Sequence, residues 1–352
     1  MGTQYYDGTK LLSLSDANGT RPEIYIVTSN RTAGKTTFFG RYFMRRFLNY
    51  QEKFVLLYRF VYEIDNIPDK FFKDLKGLFF PDITMSAAKK ARGVYHEIYI
   101  HDAPTAPGQL CGYALALNNA DQIKKYSHLF SDVYRILFDE FQSETNHYCP
   151  DEIRKFQSVH TSIARGQGQQ TRYVPVFMLS NPVSIINPYY TALGISHRLR
   201  TDTKFLKGPG YVLEQGHNET AANALQQSGF FQAFSQDTEY LQYAAQGVYL
   251  NDNIAFIEKP AGRSRYLATL IYNRKEYAIR EYADAGLIYC DDRPDSSYKY
   301  KIAITTDDHR INYVMLKNND LFIMTMRQLF ERGAFRFRDL KCKEVIMRMI
   351  SY

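Results

Sequence analysis

The segment SNRTAGKTT (residues 29–37) decides how the rest of the chain is read. Gly34, Lys35 and Thr36 are the demanding part of a phosphate-binding loop. In such a loop backbone N–H groups curl around phosphates at a helix N-terminus, the lysine reaches the terminal phosphates and the next hydroxyl ligates magnesium. The tripeptide alone proves little, and its context decides. EIYIVT (23–28) supplies a preceding strand, and Lys35 opens an apolar-periodic helix that runs to Asn49. Ser29 stands where a first glycine is expected, which a small residue tolerates if its φ is negative. The expected nucleotide-binding residues are therefore Ser29, Asn30, Arg31, Thr32, Ala33, Gly34, Lys35, Thr36 and Thr37, with ATP and Mg2+ as ligands.

A magnesium-bound nucleotide needs carboxylates facing the loop. YRILFDEF (134–141) carries Asp139 and Glu140 to the end of an apolar strand, Asp139 to hold the metal with Thr36 and Glu140 to polarise the attacking water. YALAL (113–117) lies between the two motif strands in sequence, and is expected to insert between them in the sheet. With Glu140, this points to the additional-strand, catalytic-glutamate class of P-loop ATPases (ASCE). KNND (317–320) does not match the NKxD string a GTPase would show. Asn181, at the end of YVPVFMLSN (173–181), is placed either as a sensor of the γ-phosphate or as a strand cap before Pro182. Arg165, in the Gly/Gln-rich SIARGQGQQTR, is positioned to reach a neighbouring subunit's site, or else is a solvated surface residue.

Apolar runs at 23–28, 54–60, 97–101, 113–117, 134–138 and 173–179 alternate with helical stretches at Lys35–Asn49, Asp121–Leu129 and Asp151–Ala164, so the fold class is α/β with a mostly parallel sheet. From about Lys207 to Asp252 the composition turns to Gln, Ala, Asn and Gly, as in a helical linker or lid. IAFIEK (254–259), RYLATLIYN (265–273), EYAIREY (276–282), GLIYC (286–290) and KYKIAITT (299–306) then read as an antiparallel meander, closed by helices at Asp320–Arg332 and Leu340–Ile350. The expected domains are 1–205, 206–252 and 253–352. Four scattered cysteines without a CxxC pair fit a reducing cytoplasm. The longest uncharged run, 173–197, holds three prolines and is no membrane span. A net charge of +7 leans toward nucleic acid, weakly.

Taken together, SNRTAGKTT, ILFDEF, LSNPVSIINPYY, FIEK and AITTDD resemble the DNA-packaging (encapsidation) ATPases of phi29-type phages, over nearly the whole chain. The resemblance implies a homopentameric ring that drives double-stranded DNA into a prohead at its portal vertex in the host cytoplasm, with a packaging RNA as a further candidate partner. A lactococcal phage relative is the implied source. By motif position it assigns Lys35 and Thr36 to phosphates and metal, Asp139 to metal and Glu140 to catalysis. Arg165 becomes a trans-acting finger, Arg31 the loop arginine of packaging motors, and Lys124 or Lys125 a second trans-acting cation.

The C-terminal meander resembles the family's RNase H-type domain, an α+β fold that in terminases cuts DNA with carboxylates on two metals. Asp291, Asp292, Asp307 and Asp308 are present, but Asp291 and Asp292 fall in a turn-like stretch and no acid tips the first strands. A vestigial nuclease serving as a docking surface for nucleic acid or portal is expected. The alternatives are a terminase-like ATPase with an active metal-dependent nuclease, and a non-enzymatic nucleic-acid-binding subunit with a degenerate loop, for which Ser29 is the sign.

Overall fold

The computed structural model describes residues 5–103, 106–166, 168, 170–196, 198–199, 203–234, 243–244 and 256–351. The chain forms two compact units. One gathers Met1–Gln142, Arg154–Val183 and Arg200–Val248; the other gathers Ser143–Ile153, Ser184–Leu199 and Tyr249–Tyr352.

The first unit is built on a nine-stranded sheet of β1 (Ile24–Thr28), β2 (Lys53–Tyr58), β3 (Thr84–Lys90), β4 (Tyr95–His101), β5 (Gln109–Ala116), β6 (Val133–Asp139), β7 (Val176–Ser180), β8 (Phe205–Gly208) and β9 (Tyr211–Gln215). Their order is β3-β4-β5-β2-β6-β7-β1-β9-β8. The six strands from β5 to β9 run parallel, and antiparallel pairings add β4 and β3 at one edge and β8 at the other. Residues of β1 and β7 are almost all buried, which is why they read as unbroken apolar runs.

The strand lying between β1 and β6 is β7, not YALAL. YALAL belongs to β5, on the far side of β2. The chain leaves β6, passes through the helix Glu152–Ile163 and re-enters as β7 beside β6, so an inserted strand is present but comes from a later part of the sequence.

Helix Lys35–Tyr50 buries Phe39, Phe43, Met44 and Phe47 along one face, then stops at Gln51, whose φ of 57° and N–H bond to Phe47 O end the ladder. Phe177 on β7 anchors it. Its ring stacks on Tyr25 of β1 at 4.9 Å and lies 5.3 Å from both Phe39 and Phe43. That packing sets the helix N-terminus at the carboxyl edge of the sheet.

Other elements depart from the sequence reading. The helix expected at Asp121–Leu129 is one α turn, Ala120–Ile123, followed by a 3₁₀ stretch, Lys124–Phe130, that turns Tyr126 and Phe130 onto Tyr95. The compositional shift near Lys207 does not end the sheet, because 205–215 forms the β8–β9 hairpin; helices Glu219–Gln227 and Gly229–Ala233 follow. Of the helical linker expected from about Lys207 to Asp252, residues 235–242 and 245–252 lie outside the described residues. β3 lies outside the expected strands because its half-exposed residues carry little apolar periodicity, whereas the turns between Val61 and Phe79 bury Ile64, Ile67, Phe71, Phe72 and Leu75 at a helical spacing that Pro68 interrupts.

The second unit has a six-stranded sheet of β10 (Arg265–Tyr272), β11 (Lys275–Tyr282), β12 (Leu287–Asp291), β13 (Lys301–Ala303), β14 (Val314–Met315) and β15 (Phe335–Phe337), ordered β14-β13-β10-β11-β12-β15. Only β10–β11–β12 is an antiparallel meander; β13 and β15 pair parallel to β10 and β12. Of the expected strand 254–259, residues 254–255 lie outside the described residues and 256–259 form no strand. Helices Asp320–Glu331 and Leu340–Ile350 stand where expected, the latter capped by Asp339, whose carboxylate accepts the Cys342 N–H at 2.9 Å.

Gly112 of β5 faces Phe54 of β2 in register, and a Cβ there would lie 2.3 Å from the Phe54 carbonyl oxygen. Gly112→Ala must push two central strands apart and is expected to cost about 1–3 kcal/mol. A urea denaturation midpoint equal to wild type would refute this reading of the β2–β5 contact.

Candidate nucleotide site

Between β1 and helix Lys35–Tyr50, the loop turns back on itself with Thr32 at φ 58° and Gly34 at φ 92°. The second value suits a residue without Cβ. Ser29 is not among the residues of positive φ, so its side chain is accommodated as the sequence reading required. Its hydroxyl and carbonyl are also used: Lys35 Nζ donates to Ser29 O at 2.9 Å, to Ser29 Oγ at 3.1 Å, to Asn30 O at 3.2 Å and to Asn181 Oδ1 at 3.2 Å. Lys35 is only 7% exposed. Burial depresses its pKa to about 8, with the Asp139 carboxylate opposing that shift and the Arg31 charge adding to it.

β6 brings the acids to the same edge. Thr36 Oγ1 donates to Asp139 Oδ2 at 2.7 Å, and Asp139 Oδ1 accepts the Glu140 N–H at 3.0 Å. Burial pushes the Asp139 carboxyl above its ordinary range, against the pull of the Thr36 bond and the Lys35 charge. Such a carboxylate, joined to a loop hydroxyl and short of positive charge, suits a divalent cation. Thr36 and Asp139 are the residues that fit one.

A cavity of about 790 Å³ is lined by Arg31, Thr32, Ala33, Gly34, Lys35, Thr36 and Thr37 on one side, by Asp139, Glu140, Ser180 and Asn181 on another, and by Tyr5 and part of the helix Lys73–Phe79. It falls within the roughly 300–1,000 Å³ of small-molecule sites. Ser29 and Asn30 lie behind the loop and do not line it. Asn181 lines this space, and its Oδ1 accepts from the Lys35 ammonium.

Arg59 was missed in the sequence, although a charge at the end of the buried run FVLLY is the signal that could have found it. From the end of β2 its guanidinium donates to Glu140 O at 3.3 Å and Phe141 O at 2.6 Å. Glu140 has φ 54°, a costly backbone for a residue with Cβ. Arg59 thus clamps the carbonyls of that strained residue and of the next, Phe141. A second cavity of about 320 Å³ opens there, lined by Arg59, Tyr58 and Glu63 together with Thr36, Asp139 and Glu140.

The remaining candidates lie elsewhere. Arg31 lines the large cavity, its guanidinium 5.7 Å from the Tyr243 ring. Arg165 is exposed just beyond helix Glu152–Ile163 and lines neither cavity. Lys124 pairs with Asp121 at 3.1 Å, and Lys125 is exposed with no ion pair among the described residues. In the second unit, Asp291 pairs with Arg280 at 3.0 Å, Asp292 pairs with Arg338, and Asp308 accepts the N–H groups of Asn273 and Arg274 and the Thr305 hydroxyl. Among the described residues no three His, Cys, Asp or Glu side chains gather as a metal site.

The profile of the family described as podovirus DNA encapsidation protein (Gp16) matches residues 2–351. The chain is 24% identical over 352 residues to the DNA packaging protein of Bacillus phage phi29, covering 99% of this chain and 96% of the relative. It is 25% identical over 330 residues to that of Bacillus phage B103, covering 93% and 94%. Among solved structures, it resembles a chain of the bacteriophage Phi-29 viral genome packaging motor assembly with a TM-score of 0.54 and 22% identity over 99% of this chain and 100% of that one. It also resembles the Phi-28 gp11 DNA packaging motor, with a TM-score of 0.59 and 17% identity over 99% and 98%.

The Arg59 clamp carries its own expectation. Removing a charged donor to these carbonyls costs about 1.5–3 kcal/mol, roughly tenfold to a hundredfold if it acts on the reacting geometry. Arg59→Ala should therefore lower nucleotide turnover by that factor and leave nucleotide affinity nearly unchanged. Equal turnover in steady-state assays would remove Arg59 from the site.

Proposed function

The chain belongs to the podovirus DNA encapsidation protein (Gp16) family, and from that premise we propose that it is a viral DNA-packaging ATPase, coupling ATP hydrolysis to translocation of double-stranded DNA into a prohead. One observation carries the hydrolytic half of the reading. The Thr36–Asp139 bond and the Lys35 ammonium meet at a cavity that Glu140 also lines.

The chain's own groups divide the work. Backbone amides of residues 32–37 cradle the phosphates, the Arg31 N–H being given to Ala244 O, and Lys35 turns its ammonium from the loop carbonyls to the β- and γ-phosphate oxygens. Thr36 and Asp139 would hold magnesium, which supplies charge neutralisation on the phosphate oxygens. Glu140 orients the attacking water and accepts its proton, while Asn181 and Arg31 contact the terminal phosphate side. Arg165, exposed and away from its own cavity, acts on the site of an adjacent subunit in a pentameric ring. Of the two lysines, Lys125 is the better trans-acting candidate, because Lys124 is engaged with Asp121 in its own chain.

The family's partners enter on the same terms: the prohead portal vertex in the host cytoplasm, duplex DNA held by its phosphates without base readout, and a packaging RNA. A lactococcal source is part of the proposal and rests on the sequence resemblance alone, since the relatives named above come from Bacillus phages. Residues 253–352 act as an RNase H-like docking domain, and 206–252, after the β8–β9 hairpin with which it begins, as the connection that leads to it. Asp291, Asp292 and Asp308 are engaged with internal partners, which favours docking over DNA cleavage.

Two measurements test the proposal. Glu140→Gln should bind ATP with wild-type affinity but lose at least about a hundredfold in DNA-stimulated hydrolysis, a stimulation that itself weakens with salt. Full turnover would remove Glu140 from the mechanism, and an ATPase indifferent to duplex DNA would undo the motor. Arg165→Ala should depress hydrolysis by roughly 10³-fold in the assembled ring and hardly at all in the monomer. Equal loss in both states would make Arg165 a residue of its own subunit's site.

A further inference from the structure

Residue 30 lies within the phosphate loop, yet its side chain serves another part of the chain. Asn30 is fully buried, 0% exposed, and does not line the large cavity. Its carboxamide closes a pair of hydrogen bonds on the backbone of Asn218: Nδ2 donates to Asn218 O at 3.0 Å, and Oδ1 accepts from Asn218 N at 2.9 Å. The Asn218 side chain in turn accepts the Ala221 N–H at 2.9 Å, capping helix Glu219–Gln227. The main-chain carbonyl of Asn30 meanwhile accepts from Lys35 Nζ at 3.2 Å. Two backbone bonds flank this link, Gly216 N–H to Thr28 O at 2.7 Å and Arg31 N–H to Ala244 O at 3.1 Å.

One residue is therefore gripped on its main chain by the ammonium that serves the phosphates and on its side chain by the cap of a helix 188 positions away. A fully buried carboxamide that has spent a donor and an acceptor on one peptide strand cannot leave it without exposing unmet polar groups to the interior. The loop and residue 218 must move together. When Lys35 turns toward bound phosphates it releases the carbonyls of Ser29 and Asn30, and the change reaches the helix cap through Asn30.

We propose that Asn30 is a positioning residue that locks helix Glu219–Gln227 to the phosphate loop, so that the helix reports whether the loop holds a nucleotide. The inference rests on the nucleotide reading of residues 29–37 and adds to it a role for a side chain that touches no phosphate.

Hydrogen exchange on the full chain, with and without a non-hydrolysable ATP analogue plus magnesium, tests it. In wild type the analogue should slow exchange of the Ala221–Gln227 amides by about fivefold or more. In Asn30→Ala the analogue should still bind within about threefold of wild type, the exchange response should vanish, and kcat should fall with KM little changed. Asn218→Ser, which keeps both the cap and the backbone pair, should retain the response. Asn30→Ser offers a milder cut should the alanine variant fold poorly, and the wild-type comparison stands without either. A helix indifferent to the analogue in wild type, or a full response in the Asn30 variants, would overturn the inference while leaving nucleotide binding intact. Absence of binding in wild type would remove the reading of residues 29–37 and the inference with it.

Discussion

The 2.7 Å hydrogen bond from Thr36 Oγ1 to Asp139 Oδ2 joins residues 103 positions apart, and the first unit is arranged around the meeting it records. For the bond to form, β1 and β6 must end at the same edge of the sheet while one strand lies between them. β7 fills that place, and Phe177 on it packs against both Tyr25 and the helix that presents Thr36. The strand that separates the two motif strands also carries Asn181 to the cavity they share. Core packing and site geometry are thus one constraint.

Electrostatics at that edge is poised rather than neutral. Burial moves Lys35 and Asp139 in opposite directions, each away from its charged form, and each charge partly offsets the other's desolvation. The ammonium rests on the carbonyls of its own loop. On the proposed reading, a phosphate chain with its metal ion supplies the missing partner to both groups. The strained backbone at Glu140, gripped by Arg59 at the next carbonyls, belongs to the same economy: an unfavourable φ persists where the surroundings over-determine it.

The region beyond the sheet is tied to this edge by more than chain continuity. Asn218, Gly216 and Ala244 all bond to residues 28–31, so the composition shift that reads as a linker marks a segment fastened to the loop. In the second unit Asp291, Asp292 and Asp308 are absorbed locally by Arg280, Arg338 and the turn at Asn273–Arg274. The meander resembles a nuclease domain, but the placement of these acids in sequence does not, and their partners are those of structural carboxylates.

Sequence by itself determined the α/β class, the strand–loop–helix unit at 23–49 and the acid-tipped strand at 134–140, because backbone φ/ψ preference, apolar runs and motif spacing are local properties. It also carried the family likeness that the profile match supports. It did not determine that β7 rather than YALAL separates the motif strands, that 205–215 pairs into the sheet, or that β13 and β15 run parallel to their neighbours. Strand order depends on which faces bury against each other across long separations, and no window of sequence contains both partners. Arg59 and Asn218, and the bond that ties Asn30 to residue 218 rather than to the cavity, were illegible for the same reason. Each acts through a hydrogen bond to the backbone of a residue remote in sequence, and a main-chain acceptor or donor leaves no mark in the amino-acid code of its partner.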